Sequence, residues 1–157
     1  MDLVIVRHGK AERDSFSGRD EDRKLTRRGE RQALWLGEAL SESGFTGARV
    51  LSSRAARAIR TAHLLAEGLM SPVEEAEGLM LGSQISDVLP LMEMHRSGTP
   101  LVLIGHNPMV SQLASLLTHG VGFCELQLRT GSAAMIELTE LVPGAATLRD
   151  VLRLQED

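Results

Sequence analysis

The chain is short of what several large classes of protein require. It has one cysteine, Cys124, which excludes an intrachain disulfide and a cysteine-built zinc site. The apolar neighbours Phe123, Leu126 and Leu128 make that thiol a packed side chain rather than a nucleophile. There is no tyrosine, one tryptophan and three phenylalanines, so the stacking platforms that grip single-stranded nucleic acid are mostly missing. Positive charge is not in excess either. Seventeen lysines and arginines against 21 acidic residues leave a net charge of −4, which gives no pull towards nucleic acid or anionic lipid. No apolar run approaches a membrane span. The chain opens on a strand, without the basic and long apolar regions of a secretory leader. A soluble, cytoplasmic protein is the expectation these absences leave.

What is present fits one domain spanning residues 1–157, large enough to bury a substantial core. The apolar fraction of 43% and the charged fraction of 24% are those of an ordinary globular protein. No internal repeat, low-complexity tract or linker divides the chain.

Leu3-Val4-Ile5-Val6 reads as a buried strand, because β-branched side chains suit a pleated surface covered on both faces. Arg7-His8-Gly9 follows. Glycine allows a tight turn, with a positive φ as one way to make it, and leaves no side chain beside His8. In an open α/β sheet, ligands lie off the carboxyl ends of strands. An arginine and a histidine there form a candidate anion site; on their own they read equally well as a solvated strand end. The charged run from Lys10 to Lys24 is a loop that leaves this same strand end and can reach back over it.

Thr26 is the expected N-cap of a helix carrying Ala33, Leu36 and Leu40 at helical spacing and ending near Gly44. Arg49 to Ser52 reads as a second strand, with Ser53 as the cap of a helix that presents Ala56, Ile59, Ala62 and Ala66. Arg54, Arg57 and Arg60 crowd the start of that helix, where the macrodipole favours anions over cations. A bound anion would compensate; pairing with surface carboxylates is the competing explanation. Residues 72–75 read as a short edge strand. A helix lies within residues 82–98, with Pro90 either in its first turn or kinking it. Leu101 to Gly105 is a second buried strand, and His106-Asn107-Pro108 and another amphipathic helix follow. Two alternating segments around Pro143-Gly144 form an antiparallel hairpin closing the sheet edge.

Two strand ends and one helix start therefore supply Arg7, His8, Arg57 and His106. A phosphoryl group in transfer gains from fixed cationic donors on its three equatorial oxygens. Guanidinium supplies planar, permanently charged forks, and an imidazole can take the phosphoryl group covalently. Neighbouring arginines oppose protonation of that imidazole. No glycine-rich phosphate loop and no carboxylate cluster calls for Mg²⁺, so the expectation is phosphoryl transfer with no metal and no cofactor.

These residues resemble the histidine phosphatase (phosphoglycerate mutase-like) superfamily. The resemblance rests on Arg7-His8-Gly9, Leu25-Thr26-x-x-Gly29-x-x-Gln32-Ala33, Ser53-x-x-x-Arg57-Ala58-x-x-Thr61 and Gly105-His106-Asn107-Pro108, in that order over most of the chain. It implies a three-layer α/β/α sandwich with a mostly parallel central sheet. It also implies that His8 is the phosphorylated nucleophile, that Arg7, Arg57 and His106 complete the phosphate pocket, and that Arg23, Gly9 and Asn107 bind substrate. Too few residues separate the Arg57 helix from His106 for the inserted cap of larger members, and the whole is similar to the small SixA-type protein phosphohistidine phosphatases. Glu74, Glu75 and Glu77 lie where larger relatives place a general acid, yet none has the motif context, and none is assigned. Arg54, Arg60 and Lys10 depart from the family pattern and make the site more basic, which fits an acidic or doubly phosphorylated ligand and equally fits neutral surface drift. The expected partner is a phosphohistidine-containing protein. A phosphatase of small phosphorylated metabolites and a non-catalytic phosphate- or phosphoprotein-binding module are the competing functions.

Overall fold

A computed structural model of the protein describes residues 1–122 and 125–155; Cys124 and Phe123 lie outside them. Six strands form one sheet: β1 (Asp2–Arg7), β2 (Arg49–Ser52), β3 (Val73–Glu75), β4 (Leu101–Gly105), β5 (Ala133–Leu138) and β6 (Ala146–Leu152). Their order across the sheet is β3-β2-β4-β1-β5-β6. The first four are parallel, and β5 and β6 are antiparallel, forming the expected edge hairpin.

The period-2 alternation of strand side chains builds two cores. Leu3, Ile5, Leu101 and Leu103 face one layer, where helices α3 (Ile85–Met94) and α4 (Met109–His119) pack. Val4, Val6, Val102 and Ile104 face the other, covered by α1 (Arg27–Glu42) and α2 (Ala56–Leu69). The fold is thus a three-layer α/β/α sandwich, as the resemblance implies. No helix among the described residues is long and apolar enough to cross a membrane.

Most boundaries follow the sequence reading, and the departures have physical causes. Thr26 caps α1, its Oγ1 accepting from the Gly29 amide at 3.0 Å. Ser53 does not cap α2: the cap position falls to Ala55, which has no capping side chain, and Ser53 turns into the site instead. The face α2 buries is Ala58, Ala62, Leu65 and Leu69 rather than one through Ala56 and Ile59, which are half-exposed. Pro90 lies inside α3 beyond the first turn, in a helix whose start is held by a reciprocal cap between Gln84 and Asp87.

Close backbone approaches lock the α1–α2 layer onto the sheet. A Cβ on Gly37 would meet the Leu65 carbonyl at 2.5 Å, so glycine there allows the two helices to touch. Gly9 serves in the same way, its missing Cβ leaving room for the Gly29 carbonyl, 2.6 Å from where that atom would be. It does not have a positive φ. Gly9 is therefore demanded by packing against α1 and not by the turn's dihedral angles.

Candidate active site

The registers Arg7↔Gly105 and Ser52↔Ile104 bring the ends of β1, β4 and β2 level. His8, His106 and Ser53, the next residue of each strand, consequently meet at the carboxyl edge of the sheet, where open α/β folds hold ligands. The two imidazoles are buried and tilted against each other with centroids 5.2 Å apart.

His8 Nδ1 lies 2.7 Å from the Gly9 carbonyl oxygen. A carbonyl can only accept, so Nδ1 carries the proton and the lone pair is left on Nε2. That nitrogen faces Arg57, whose Nε donates to it at 3.3 Å. Burial, and secondarily the charges of Arg57, Arg7 and Arg23, push the His8 imidazole down to about 4 against the opposing Gly9 hydrogen bond. The arginines contribute as their charge leads one to expect, and burial is the larger cause. His106 Nε2 lies 2.8 Å from Ser53 Oγ. Ser53 Oγ accepts from the Ala55 amide at 3.2 Å, and its proton has the imidazole nitrogen as a better acceptor than the Met80 thioether at 3.4 Å. His106 then carries its own proton on Nδ1, which is buried with no partner among the described residues. Burial, then the proximity of His8 and Arg57, brings its imidazole down to about 3. Both rings are neutral at pH 7.

Three guanidiniums surround the pair. Arg57, 3% exposed on α2, donates from Nη1 to the Asp20 carbonyl at 2.8 Å and from Nη2 to Asp20 Oδ2 at 3.0 Å. Arg23 donates from Nε to Asp20 Oδ1 at 2.8 Å and from Nη1 to the Glu12 carbonyl at 2.7 Å. Arg7 donates from Nη1 to the Leu128 carbonyl at 3.2 Å, and its Nε is buried without a partner among the described residues. Together with His8, His106, Asn107, Leu81 and Thr130 they line a cavity of about 380 Å³. The Lys10–Lys24 loop does fold back over the strand end, and its short 3₁₀ turn Asp20–Asp22 delivers Asp20.

Not every predicted residue meets the cavity through its polar atoms. The Gly9 amide donates to Thr61 Oγ1 at 3.0 Å, and Thr61 in turn donates to the Arg57 carbonyl at 2.7 Å, so the β1 turn is tied to the helix that presents Arg57. Asn107 lines the cavity, but its amide donates to the Leu128 carbonyl at 2.8 Å and its oxygen accepts from Ser111 Oγ at 2.6 Å. Arg54 pairs with Glu77 and Arg60 with Glu30. Those two arginines are thus explained by surface carboxylates, whereas Arg57 alone of the three enters the cavity. Glu74 pairs with Arg49 at 2.6 Å, and none of Glu74, Glu75 and Glu77 lines the cavity.

The sequence does not single out Asp20, the one carboxylate among the described residues that lines it. Its hydrogen bonds to Arg57 and Arg23 hold the carboxyl below its ordinary range. Its position three residues before Arg23 on the polar turn is the signal available in the sequence. Among the described residues no group of three histidine, cysteine or acidic side chains is arranged to hold a metal ion.

An imidazole lone pair ringed by guanidiniums at the carboxyl edge of a parallel sheet is an arrangement that can hold an oxyanion against a histidine nitrogen. The family model of the histidine phosphatase superfamily (branch 1) matches residues 3–80, and the chain belongs to that superfamily. It is similar to the solved structure of the protein histidine phosphatase SixA complexed with tungstate, at a TM-score of 0.83 and 25% identity over 98% of this chain and 97% of that one. It is also similar to a putative phosphohistidine phosphatase SixA from Nakamurella multipartitia, at 0.82 and 24% over 96% and 94%. A putative alpha-ribazole-5'-P phosphatase from Escherichia coli shares the fold at 0.72 and 20% over 98% and 97%. The family and the geometry together support a phosphatase.

Proposed function

We propose that this protein removes phosphate from phosphohistidine in a protein, through a phosphohistidine intermediate on His8. In the first step His8 Nε2 attacks phosphorus, and the bond from phosphorus to the departing group breaks. Arg57 shifts its Nε–H from His8 to a phosphoryl oxygen, while Arg7, Arg23 and His106 Nδ1–H donate to the others. Donors aimed where charge gathers in the transition state contribute most of the acceleration in such transfers. In the second step water attacks phosphorus and the bond from phosphorus to Nε2 breaks, so that phosphate departs with both protons of the water and His8 returns neutral with its proton on Nδ1. No metal ion or cofactor enters either step. Arg7 Nε and His106 Nδ1, both buried without partners among the described residues, each gain about 1–3 kcal/mol when an anion accepts from them.

The observation that carries the choice of substrate is the acid–base content of the cavity. An alkoxide needs a proton as it leaves, and an acid that supplies it at pH 7 must hold that proton. The single carboxyl lining this cavity among the described residues, Asp20, is shifted the opposite way, ionised between two guanidiniums. A phosphorylated imidazole protonated on its second nitrogen leaves as neutral imidazole, a group whose conjugate acid has a pKa of about 6.5, without further help. The SixA likeness agrees with this reading.

The test compares initial rates on a chemically phosphorylated histidine peptide, an aryl phosphate and a panel of alkyl phosphate monoesters. The expected order is phosphohistidine, then aryl, then alkyl. Alkyl esters turned over as fast as phosphohistidine would move the assignment to small metabolites. Binding of every ligand with turnover of none would make it a phosphate-binding module.

A further inference from the structure

We propose that the Asp20 carboxylate accepts the ring N–H of the departing phosphohistidine, and so selects an imidazole leaving group over an alcohol or a phenol. This rests on the phosphohistidine reading above and adds what holds the group that leaves.

Depth in the cavity sets where that group lies. His8 and Arg57 form the floor, at 7% and 3% exposure. The Asp20 side chain, at 59%, stands at the rim. Attack by His8 Nε2 is in line with the breaking bond, so the departing ring lies on the far side of phosphorus, towards the rim. There Asp20 is tied to two guanidiniums that hold the phosphoryl oxygens: Oδ1 accepts from Arg23 Nε and Oδ2 from Arg57 Nη2. An ionised carboxylate has about four lone-pair sites. These two bonds leave each oxygen with a site to spare.

The charges around the departing ring give this acceptor its weight. The charged and titratable groups lining the cavity are Arg7 and His8 at the end of β1, Lys10, Asp20 and Arg23 on the loop, Arg57 on α2 and His106 after β4. Arg7, Lys10, Arg23 and Arg57 are cations, and cations disfavour the protonated form of a phosphorylated imidazole. That form is the one that leaves as neutral imidazole. Asp20 is the one negative charge among the described residues of this lining, and it opposes them. The Asn107 side-chain oxygen, also in the lining, is taken up by Ser111.

The proton stays on the ring throughout the step. The bond from phosphorus to nitrogen breaks, its electron pair returns to that nitrogen, and Asp20 ends ionised as it began. A carboxylate held below its ordinary range by two guanidiniums suits this task, because it accepts a hydrogen bond without taking the proton. An aryl or alkyl ester sets an oxygen with no N–H before the same anion. The contact therefore discriminates between leaving groups, not between phosphoryl groups.

The experiment follows phosphorylation of His8 in single turnovers with enzyme saturating, which reads ionisations in the complex. It compares the wild type, Asp20→Asn and Asp20→Glu on a phosphohistidine peptide and an aryl phosphate, across neutral and mildly alkaline pH. His8 and His106, at about 4 and about 3, titrate below this range. Any loosening of Arg23 and Arg57 in Asp20→Asn slows both substrates alike. A further loss of about tenfold, confined to phosphohistidine, is expected at mildly alkaline pH. Its alkaline decline should begin about one pH unit earlier than in the wild type. The aryl phosphate profile should show no such shift, and Asp20→Glu, which keeps the charge, should recover part of both effects. Equal losses on the two substrates, or an alkaline decline that Asp20→Asn leaves in place, would overturn the proposal. A wild type that turns over phosphohistidine no faster than alkyl phosphates would remove the substrate reading and the role of Asp20 with it. A wild-type preference that survives Asp20→Asn would remove the role of Asp20 alone.

Discussion

Acidification from pH 7.5 to pH 5 should destabilise this protein through its two site histidines, before any carboxylate is protonated in numbers. His8 and His106 are pushed down to about 4 and about 3 in the folded protein, against about 6.5 in the unfolded chain. Between those values the unfolded chain binds protons that the native rings refuse, so stability falls as pH falls and is fully present above the unfolded value. At pH 5 each ring costs about 2 kcal/mol, so the pair removes about 4 kcal/mol from a total that is usually about 5–15. Asp20 acts in the same direction at lower pH, because its lowered carboxyl loses its contribution only as the pH falls below the ordinary carboxylate range. The assay is urea unfolding at half-unit pH steps in a buffer free of phosphate and sulfate. It is run on the wild type and on His8→Asn/His106→Asn. The wild type should lose about 4 kcal/mol more than the double variant over this range. Parallel curves would refute the claim that both rings are buried and neutral.

Three further outcomes follow from the same geometry. Arg57→Ala removes a buried donor to the phosphoryl group and should lower kcat/KM on aryl phosphate by about 3 kcal/mol, on the order of a hundredfold or more; a loss under fivefold would show that Arg7 and Arg23 suffice. EDTA should leave turnover unchanged, and inhibition reversed by a divalent cation would overturn the metal-free steps. Gly29→Ala places a Cβ within 2.2 Å of the Lys10 carbonyl and should cost about 1–3 kcal/mol in thermal or urea unfolding; an unaltered stability would mean that α1 does not press on the β1 turn as described.

The sequence discloses this site well wherever one residue's role follows from its local context. Apolar runs ending in Arg7-His8-Gly9 and Gly105-His106 mark strands whose ends carry chemistry, and parallel pairing then brings the ends together. What escapes is whatever depends on contacts across long chain separations. Ser53 reads as a helix cap because serine before a helix usually is one, yet the β2–β4 register sets it 2.8 Å from His106, 53 residues away. Asp20 reads as one charge among many on a solvated loop, and only the fold of that loop puts it on Arg57. Of three arginines at one helix start, the helical turn points Arg57 inward and leaves Arg54 and Arg60 to surface partners. Gly9 reads as a tight turn with open space beside His8, whereas the demand comes from α1, a partner that the tripeptide does not reveal.

The central claim is a covalent phosphoryl group on His8 Nε2. Rapid mixing with a phosphohistidine peptide or an aryl phosphate, quenching in base and peptide mass spectrometry reads it directly. The account predicts a phosphoryl adduct on His8 that is stable to base, labile to acid, kinetically competent and missing from His8→Ala. Full turnover by His8→Ala, or an adduct confined to another residue, would contradict it.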